Sequence, residues 1–152
     1  MKRRARAVLL WACAFQIWMS GVFAATIAIT EIQGLSFPAA VAGTTTTMVT
    51  AATDSTAAVF NATGDANTAL TATIVETGVI ITTGTGSTNS QKISIDNWTF
   101  GGSLTDGGGS GTGTFDATGA LTNLRIGATA NVESDDIAGD YTGTVTLRLV
   151  YS

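Results

Sequence analysis

The clearest pattern of apolar and polar positions lies at the end of the chain, in residues 140–151. Even positions there are mostly polar, and the odd positions carry the large apolar side chains Tyr141, Val145, Leu147, Leu149 and Tyr151. Alternate side chains of an extended strand point to opposite faces, so this pattern predicts a strand with one apolar face. Because a single strand is not stable alone, that face requires a sheet beside it and a second layer beneath it.

Shorter alternating runs occur through the rest of the chain. Residues 25–32 place Ile27 and Ile29 on one face, and residues 124–132 form a long, regular run. Turn residues separate these runs, which predicts about eight to ten short strands, a number typical of a β-sandwich or β-barrel. No helical periodicity follows residue 24, so the predicted class is all-β.

The alternation changes phase within residues 93–100. Ile93 and Ile95 share one face, whereas Trp98 and Phe100 fall on the other. Such a switch predicts a β-bulge or a bend at Asp96 and Asn97.

Residues 101–113 are rich in glycine, and apart from Leu104 they predict a flexible hairpin connection. A phosphate-binding loop is the other interpretation of a glycine-rich run. This stretch lacks the Lys-Ser/Thr ending, a preceding βα unit and a following helix. The connection is therefore favoured over the phosphate loop.

The first 24 residues have the three parts of a secretory signal peptide. Four basic residues precede an apolar run over residues 7–21, and Val22 and Ala24 occupy the positions that a signal peptidase reads. We expect cleavage after Ala24 and one domain over residues 25–152. An uncleaved anchor is the alternative, but the apolar run is shorter than the roughly 20 residues that a membrane span needs.

Cleavage changes the charge and the chemistry of the chain. It removes the only cysteine, Cys13, and leaves Lys92, Arg125 and Arg148 against eleven carboxylates, a net charge of −8. Such an acidic surface repels nucleic acids and anionic membranes, so we expect neither as a partner after cleavage.

The mature chain has no residues for the common catalytic arrangements. It contains no histidine and no cysteine, which excludes Ser–His and Cys–His nucleophile pairs and removes the preferred ligands of transition metals. We therefore predict no enzymatic activity and no cofactor. Calcium at Asp135, Asp136 and Asp140 is the exception to check, although the spacing of these residues favours a solvated turn.

Four stretches resemble a large family of small secreted bacterial proteins of unknown function. Residues 35–43 (LSFPAAVAG) are similar to its L-x-F-G-x-x-x-x-G opening, with Pro38 where the family usually has glycine. Three further stretches resemble the second half of that family's sequence: residues 113–119, 126–132 and 139–146. The resemblance covers most of residues 25–152.

That family in turn resembles spore-coat-U proteins and archaic chaperone–usher pilins. The resemblance implies an immunoglobulin-like sandwich that is completed by a strand from a neighbouring subunit, and a final strand with a penultimate tyrosine, which here is Tyr151. Those pilins usually carry a disulfide and a longer N-terminal extension, and this chain has neither. The residues expected to take part in strand exchange are Ile27, Ile29, Val145, Leu147, Leu149 and Tyr151.

Two functions remain open from the sequence. The first is an exported structural or adhesive surface protein, resembling a pilus subunit, whose partners are copies of itself or a periplasmic chaperone. The second is a self-contained periplasmic or extracellular binding module that uses its loops, especially residues 101–113. Residues 25–32 are accordingly expected either to enter a neighbouring molecule or to pair within their own sandwich.

Overall fold

The computed structural model describes residues 24–152, so the predicted signal peptide lies, except for Ala24, outside the described residues. The described chain forms ten strands and one short 3-10 turn at Asn89–Gln91. The strands are β1 (Ala28–Gln33), β2 (Thr46–Thr50), β3 (Ala58–Thr63), β4 (Ala69–Ile74), β5 (Val79–Thr82), β6 (Lys92–Gly102), β7 (Thr105–Asp106), β8 (Ser110–Thr114), β9 (Ala120–Val132) and β10 (Leu147–Tyr151). Every strand pairing is antiparallel, which confirms the predicted all-β sandwich.

The larger sheet has six strands and is organised around β9. One edge of β9 pairs with β6, and β5 lies outside β6. Its other edge pairs with β3 along its first part and with β2 over residues 128–132. β1 pairs with β3 and forms the outer edge on that side.

The smaller sheet has four strands in the order β10-β4-β8-β7. β10 pairs only with β4, with Leu149 opposite Ala72 and Tyr151 opposite Leu70. The last strand of the chain is therefore an edge strand, and one row of its backbone hydrogen-bonding groups has no neighbouring strand within the described chain.

The predicted bulge in β6 is present. The register with β9 shifts between Asp96 and Thr99, and Asn97 has a positive φ of 47°. Asparagine tolerates this left-handed conformation better than most residues. The extra residue returns Trp98 to the face that Ile95 occupies, and both side chains pack in the interior.

A second bulge lies in β9, where the sequence pattern did not indicate one. The register with β3 shifts between Phe60 and Ala62, and Asn123 has a φ of 60°. The backbone N–H of Asn123 donates to the Asn61 side chain at 3.0 Å. Both Leu121 and Leu124 consequently face the interior, and β9 begins at Ala120 rather than at the predicted Leu124.

The interior consists of two hydrophobic clusters. The first lies between the sheets and includes Leu70 of β4, Phe100 of β6 and Leu124 of β9. The second lies on the inner face of the larger sheet: Val79, Ile93, Ile95, Ala128, Ala130 and Val132. The side chains packed on this second cluster come from the larger sheet and from loops: Leu35, Phe37, Met48, Ile81, Trp98 and Tyr141. The smaller sheet therefore closes only the first cluster.

The glycine-rich residues 101–113 are not the flexible connection that the sequence predicted. They form the end of β6, all of β7 and most of β8, and Leu104 is buried. A Cβ at Gly111 would lie 2.8 Å from the Phe100 Cβ, so glycine allows β8 to lie close to the core. These glycines serve close packing between the sheets.

The final strand is also shorter than predicted. Pairing begins at Leu147 rather than near residue 140. Thr142 instead forms a bridge with Thr82 at the end of β5. Residues 143–146 cross from the larger sheet to the smaller one, and a chain that crosses between sheets cannot continue either ladder.

Candidate functional site: an apolar groove between the edge strands β1 and β10

A groove of about 1130 Å³ opens where the smaller sheet ends. Its floor is the second hydrophobic cluster, including Val79, Ile93 and Ile95, each at most 7% exposed. Its rim is more open, because Ile29 is 41% exposed and Val145 is 39% exposed. The groove therefore has an apolar floor and an apolar rim that is partly in contact with water.

Residues 137–146, which end with the crossing residues 143–146 and are called the crossing segment below, form one wall of the groove and are held at several points. The Tyr141 hydroxyl lies 3.0 Å from the Ser90 carbonyl oxygen and 2.9 Å from the Ile137 carbonyl oxygen, and its single proton is shared between these two acceptors. Thr142 exchanges two backbone hydrogen bonds of 2.9 Å with Thr82. Burial of the Tyr141 phenol, with a smaller contribution from the charge of Asp136, raises the pKa of Tyr141. The hydroxyl is protonated at neutral pH, as an ordinary phenol is, and the raised pKa extends this to higher pH.

The end of the crossing segment is fixed to the smaller sheet. The Thr146 N–H donates to the Glu76 carboxylate at 2.9 Å, and the Val75 N–H donates to the Thr146 carbonyl at 3.0 Å. The hydrogen bonds from Thr146 lower the pKa of Glu76. This wall is thus attached at both ends, and β10 starts directly after it.

The opposite wall includes β1, whose side chains are poorly buried. All six of its residues are exposed, and it pairs with one strand only, β3. Ile29 and Glu31 line the groove, whereas Ala28 and Thr30 lie on the other face of the strand. β1 is thus held by one ladder and little side-chain burial.

The edge strand β10 is incompletely covered on its inner face. Leu149 and Tyr151 are only partly buried, although their paired neighbours Ala72 and Leu70 in β4 are completely buried. Leu147 and its partner Ile74 are both partly buried. This difference in burial arises because β4 lies between two strands, β10 and β8, whereas β10 has a neighbouring strand on one side only. The apolar face of the last strand is therefore larger than its own domain covers.

The structure brings together some of the residues predicted for strand exchange. Ile29, Val145 and Leu147 line the groove. Ile27, Leu149 and Tyr151 pack against the first cluster instead. The segment that contains Ile27 and Ile29 pairs with β3 of the same chain. Of the two alternatives that the sequence left open, this is pairing within its own sandwich.

Sequence reasoning missed the loop residues of the groove. Leu35, Phe37 and Ile137 line it but belong to no strand, so no alternation marked them. Leu35 and Phe37 lie in the stretch that carries the family resemblance, and Ile137 is an apolar side chain in an otherwise polar connection; these are the signals that could have found them.

The acidic turn before the crossing segment is organised by its own hydrogen bonds. The Asp136 carboxylate accepts the Glu133 N–H at 2.8 Å and is buried. Within residues 24–152, no three Asp, Glu, His or Cys side chains are grouped so that they could hold a metal ion. In the same residues the structure has no helix long and apolar enough to cross a membrane.

Two antiparallel sheets with an open groove define a β-sandwich domain. The chain belongs to the family described as a domain of unknown function, DUF4402, whose model matches residues 19–151. A search of curated proteins found no match. A search of solved structures likewise found none.

Proposed function

We propose that the protein is an exported structural or adhesive subunit whose copies assemble through the groove between β1 and β10. The observation that carries this proposal is the weak attachment of β1: all six of its residues are exposed, and it pairs with one strand only, β3. Unpaired sheet edges bind further strands readily. In the assembly that we propose, β1 of a second copy takes the place of β1 beside β3, and its Ile29 lines the groove.

Exchange of β1 would conserve the contacts of the separate molecule. β1 of one copy would leave its own β3 and take the same register on the β3 of the next copy, with Ile29 entering that groove. The exposed Gly34, directly after β1, provides the hinge. Passing a terminal strand to the next molecule is a heterologous contact, which builds filaments when it does not close into a ring.

The resemblance to two families of secreted proteins supports this proposal by analogy only. The resemblance to spore-coat-U proteins and archaic pilins implies a secreted subunit, strand exchange and a periplasmic chaperone as partner. The predicted signal peptide and the acidic mature chain fit export and argue against nucleic-acid binding. The lack of histidine and cysteine in the mature chain fits a structural rather than an enzymatic role.

A disulfide trap tests the exchange directly, because the mature chain has no cysteine of its own. Ala28 lies opposite Thr63 across the β1–β3 ladder, and both are exposed. Opposite positions in an antiparallel pair have Cβ atoms about 4.5–5.5 Å apart, which is close to disulfide distance. The variants are A28C, T63C and the double variant A28C/T63C.

Mixed A28C and T63C chains should form a covalent heterodimer under mild oxidation if β1 exchanges. The double variant, oxidised as a dilute monomer, should be locked and should no longer assemble. A matched mixture of A28C with I80C measures random collision, since Ile80 is exposed on β5 at the far edge of the sheet. Equal heterodimer yields in the two mixtures, with a monomer at every concentration, would overturn the proposal.

A self-contained binding module is the second candidate, and the groove itself favours it. A volume of about 1130 Å³ with largely apolar walls would suit an apolar small molecule. The glycine-rich loop no longer supports this candidate, because residues 101–113 are largely strands. Mass spectrometry of an organic extract of the native protein distinguishes the two: a stoichiometric apolar molecule favours the module.

A further inference from the structure

The predicted processing site lies beside a set of polar contacts that the groove does not use. The backbone nitrogen of Ala25 lies 3.0 Å from each carboxylate oxygen of Asp65. The Tyr151 hydroxyl donates to the Ala25 carbonyl at 2.8 Å. One carboxylate and one phenol thus hold both backbone polar groups of the residue that follows Ala24.

The two side chains are positioned by the fold and by each other. The Tyr151 hydroxyl accepts the backbone N–H of Asp65 at 2.8 Å, which connects the end of β10 to the turn after β3. The Tyr151 ring packs on the buried Phe115, with ring centroids 5.9 Å apart. These contacts fix the phenol before Ala25 is bound.

The geometry suits a charged amine better than a peptide N–H. A peptide nitrogen has one proton to share between the two Asp65 oxygens, whereas an ammonium has three and also carries a positive charge. Hydrolysis of the Ala24–Ala25 peptide bond by a signal peptidase adds one water, leaving a carboxylate on Ala24 and an amine on Ala25. With an ordinary pKa of about 7.7–8.0, that amine is mostly protonated at pH 7.

We propose that Asp65 and Tyr151 form a binding site for the α-ammonium group of Ala25 that cleavage after Ala24 creates. In the bound state the ammonium pairs with Asp65, and the Ala25 carbonyl accepts from Tyr151. The contact fastens the start of β1, whose side chains contribute little burial. Processing thereby strengthens the attachment of β1, and this inference depends on cleavage but not on assembly.

The test compares two chains that differ by one residue. One begins at Ala25, and the other retains Ala24 and so places its amine one residue away from Asp65. Each is made with Asp65 and as D65N, which keeps an amide oxygen as acceptor but removes the charge. Intact mass first establishes each N-terminus, including that of native exported protein, which should begin at Ala25.

In the chain that begins at Ala25, D65N should lower the Tm by about 2–5 °C at pH 7 and low salt. In the chain that retains Ala24, the same change should lower it by less than half as much. D135N, in the exposed acidic turn, is the matched loss of one carboxylate and should affect both chains equally.

The pH dependence separates an ion pair from a hydrogen bond. The titratable side chains bonded to Ala25 are those of Asp65 and Tyr151. Pairing raises the pKa of the amine above its unfolded value, so its stabilisation is present below about pH 8 and is lost as the pH rises further. The D65N effect should therefore shrink between pH 7 and pH 9 in the chain that begins at Ala25.

The outcomes separate this inference from the assembly proposal. Equal D65N effects in the two chains, or an effect independent of pH, would overturn the ammonium site and leave Asp65 as a hydrogen-bond acceptor. A native N-terminus other than Ala25 would overturn it as well. The disulfide trap reports on exchange whichever of these results is obtained.

Discussion

The Tyr151 phenol occupies the space that Gly64 leaves by having no side chain. A Cβ at Gly64 would lie 2.6 Å from the Tyr151 hydroxyl oxygen and 2.8 Å from two ring atoms of Phe115. The missing side chain at Gly64, in the turn after β3, therefore leaves the space in which Tyr151 of β10 packs.

Changing Gly64 to alanine should destabilise the protein by about 1–3 kcal/mol, because the phenol or the buried Phe115 ring must move. Gly78→Ala is the matched control, since nothing lies within 4 Å of a Cβ there. That control should be neutral or stabilising by up to about 1 kcal/mol. Chemical denaturation of both variants checks the difference, and equal stabilities would refute the packing argument.

Replacing Ile27 and Ile29 by aspartate should abolish oligomers while leaving most of the fold. Two carboxylates would then have to enter an apolar site in the neighbouring molecule, which is unfavourable unless they are paired. Ile27 also packs against the first cluster of its own molecule, so circular dichroism must show that the variant is folded. Thr30→Asp on the opposite face of β1 is the control and should still assemble. Size-exclusion chromatography and heated against unheated gels give the readout. If the unmutated mature protein is itself a monomer at all concentrations and forms no filaments, strand exchange is wrong.

Purified mature protein should contain no stoichiometric zinc, copper or iron, because it lacks histidine and cysteine. Elemental analysis checks this, and one transition-metal ion per chain would contradict it. Calcium should leave the Tm unchanged, since Asp136 already accepts a backbone N–H in its own turn. A calcium-dependent rise in Tm that D135N removes would instead establish a site there.

Acid should weaken the turn between β8 and β9 through Asp116. The Thr118 hydroxyl, followed by the backbone N–H groups of Ala120 and Thr118, lowers the pKa of Asp116 from its ordinary 3.8. A lowered folded-state pKa means that this stabilisation is present above about pH 3.8 and is lost as the pH falls through the folded value.

The variant D116N should therefore have a lower Tm at pH 7, by about 2–5 °C, and a smaller further loss between pH 5 and pH 3. Thermal melts across this range check the result, with D135N as the control for losing one carboxylate elsewhere. Parallel pH profiles for D116N and the unmutated protein would show that Asp116 does not contribute in this way.

Several features followed from the sequence because they depend on local alternation. The period of two in residues 124–132 and 140–151 predicted strands with one apolar face, and β9 and β10 lie in these two stretches. The phase change between Ile95 and Trp98 predicted the bulge, since an interior face can be regained only by one extra residue. The all-β class required no more than these patterns and the turn residues between them.

Other features depended on which strands become neighbours, and alternation does not contain that information. Residues 140–146 continue the pattern of β10, yet Thr142 pairs with β5 and the chain crosses between the sheets. The glycine-rich residues 101–113 look flexible in isolation, but their missing side chains let β8 pack close to Phe100.

The groove and the Ala25 contacts were likewise decided by tertiary structure alone. Ala25, Asp65 and Tyr151 are far apart in the chain and meet only because β10 ends beside the turn after β3. Sequence determined which faces are apolar, through the period of the strand. Tertiary structure decided which of those faces remain uncovered, because coverage depends on where the smaller sheet ends.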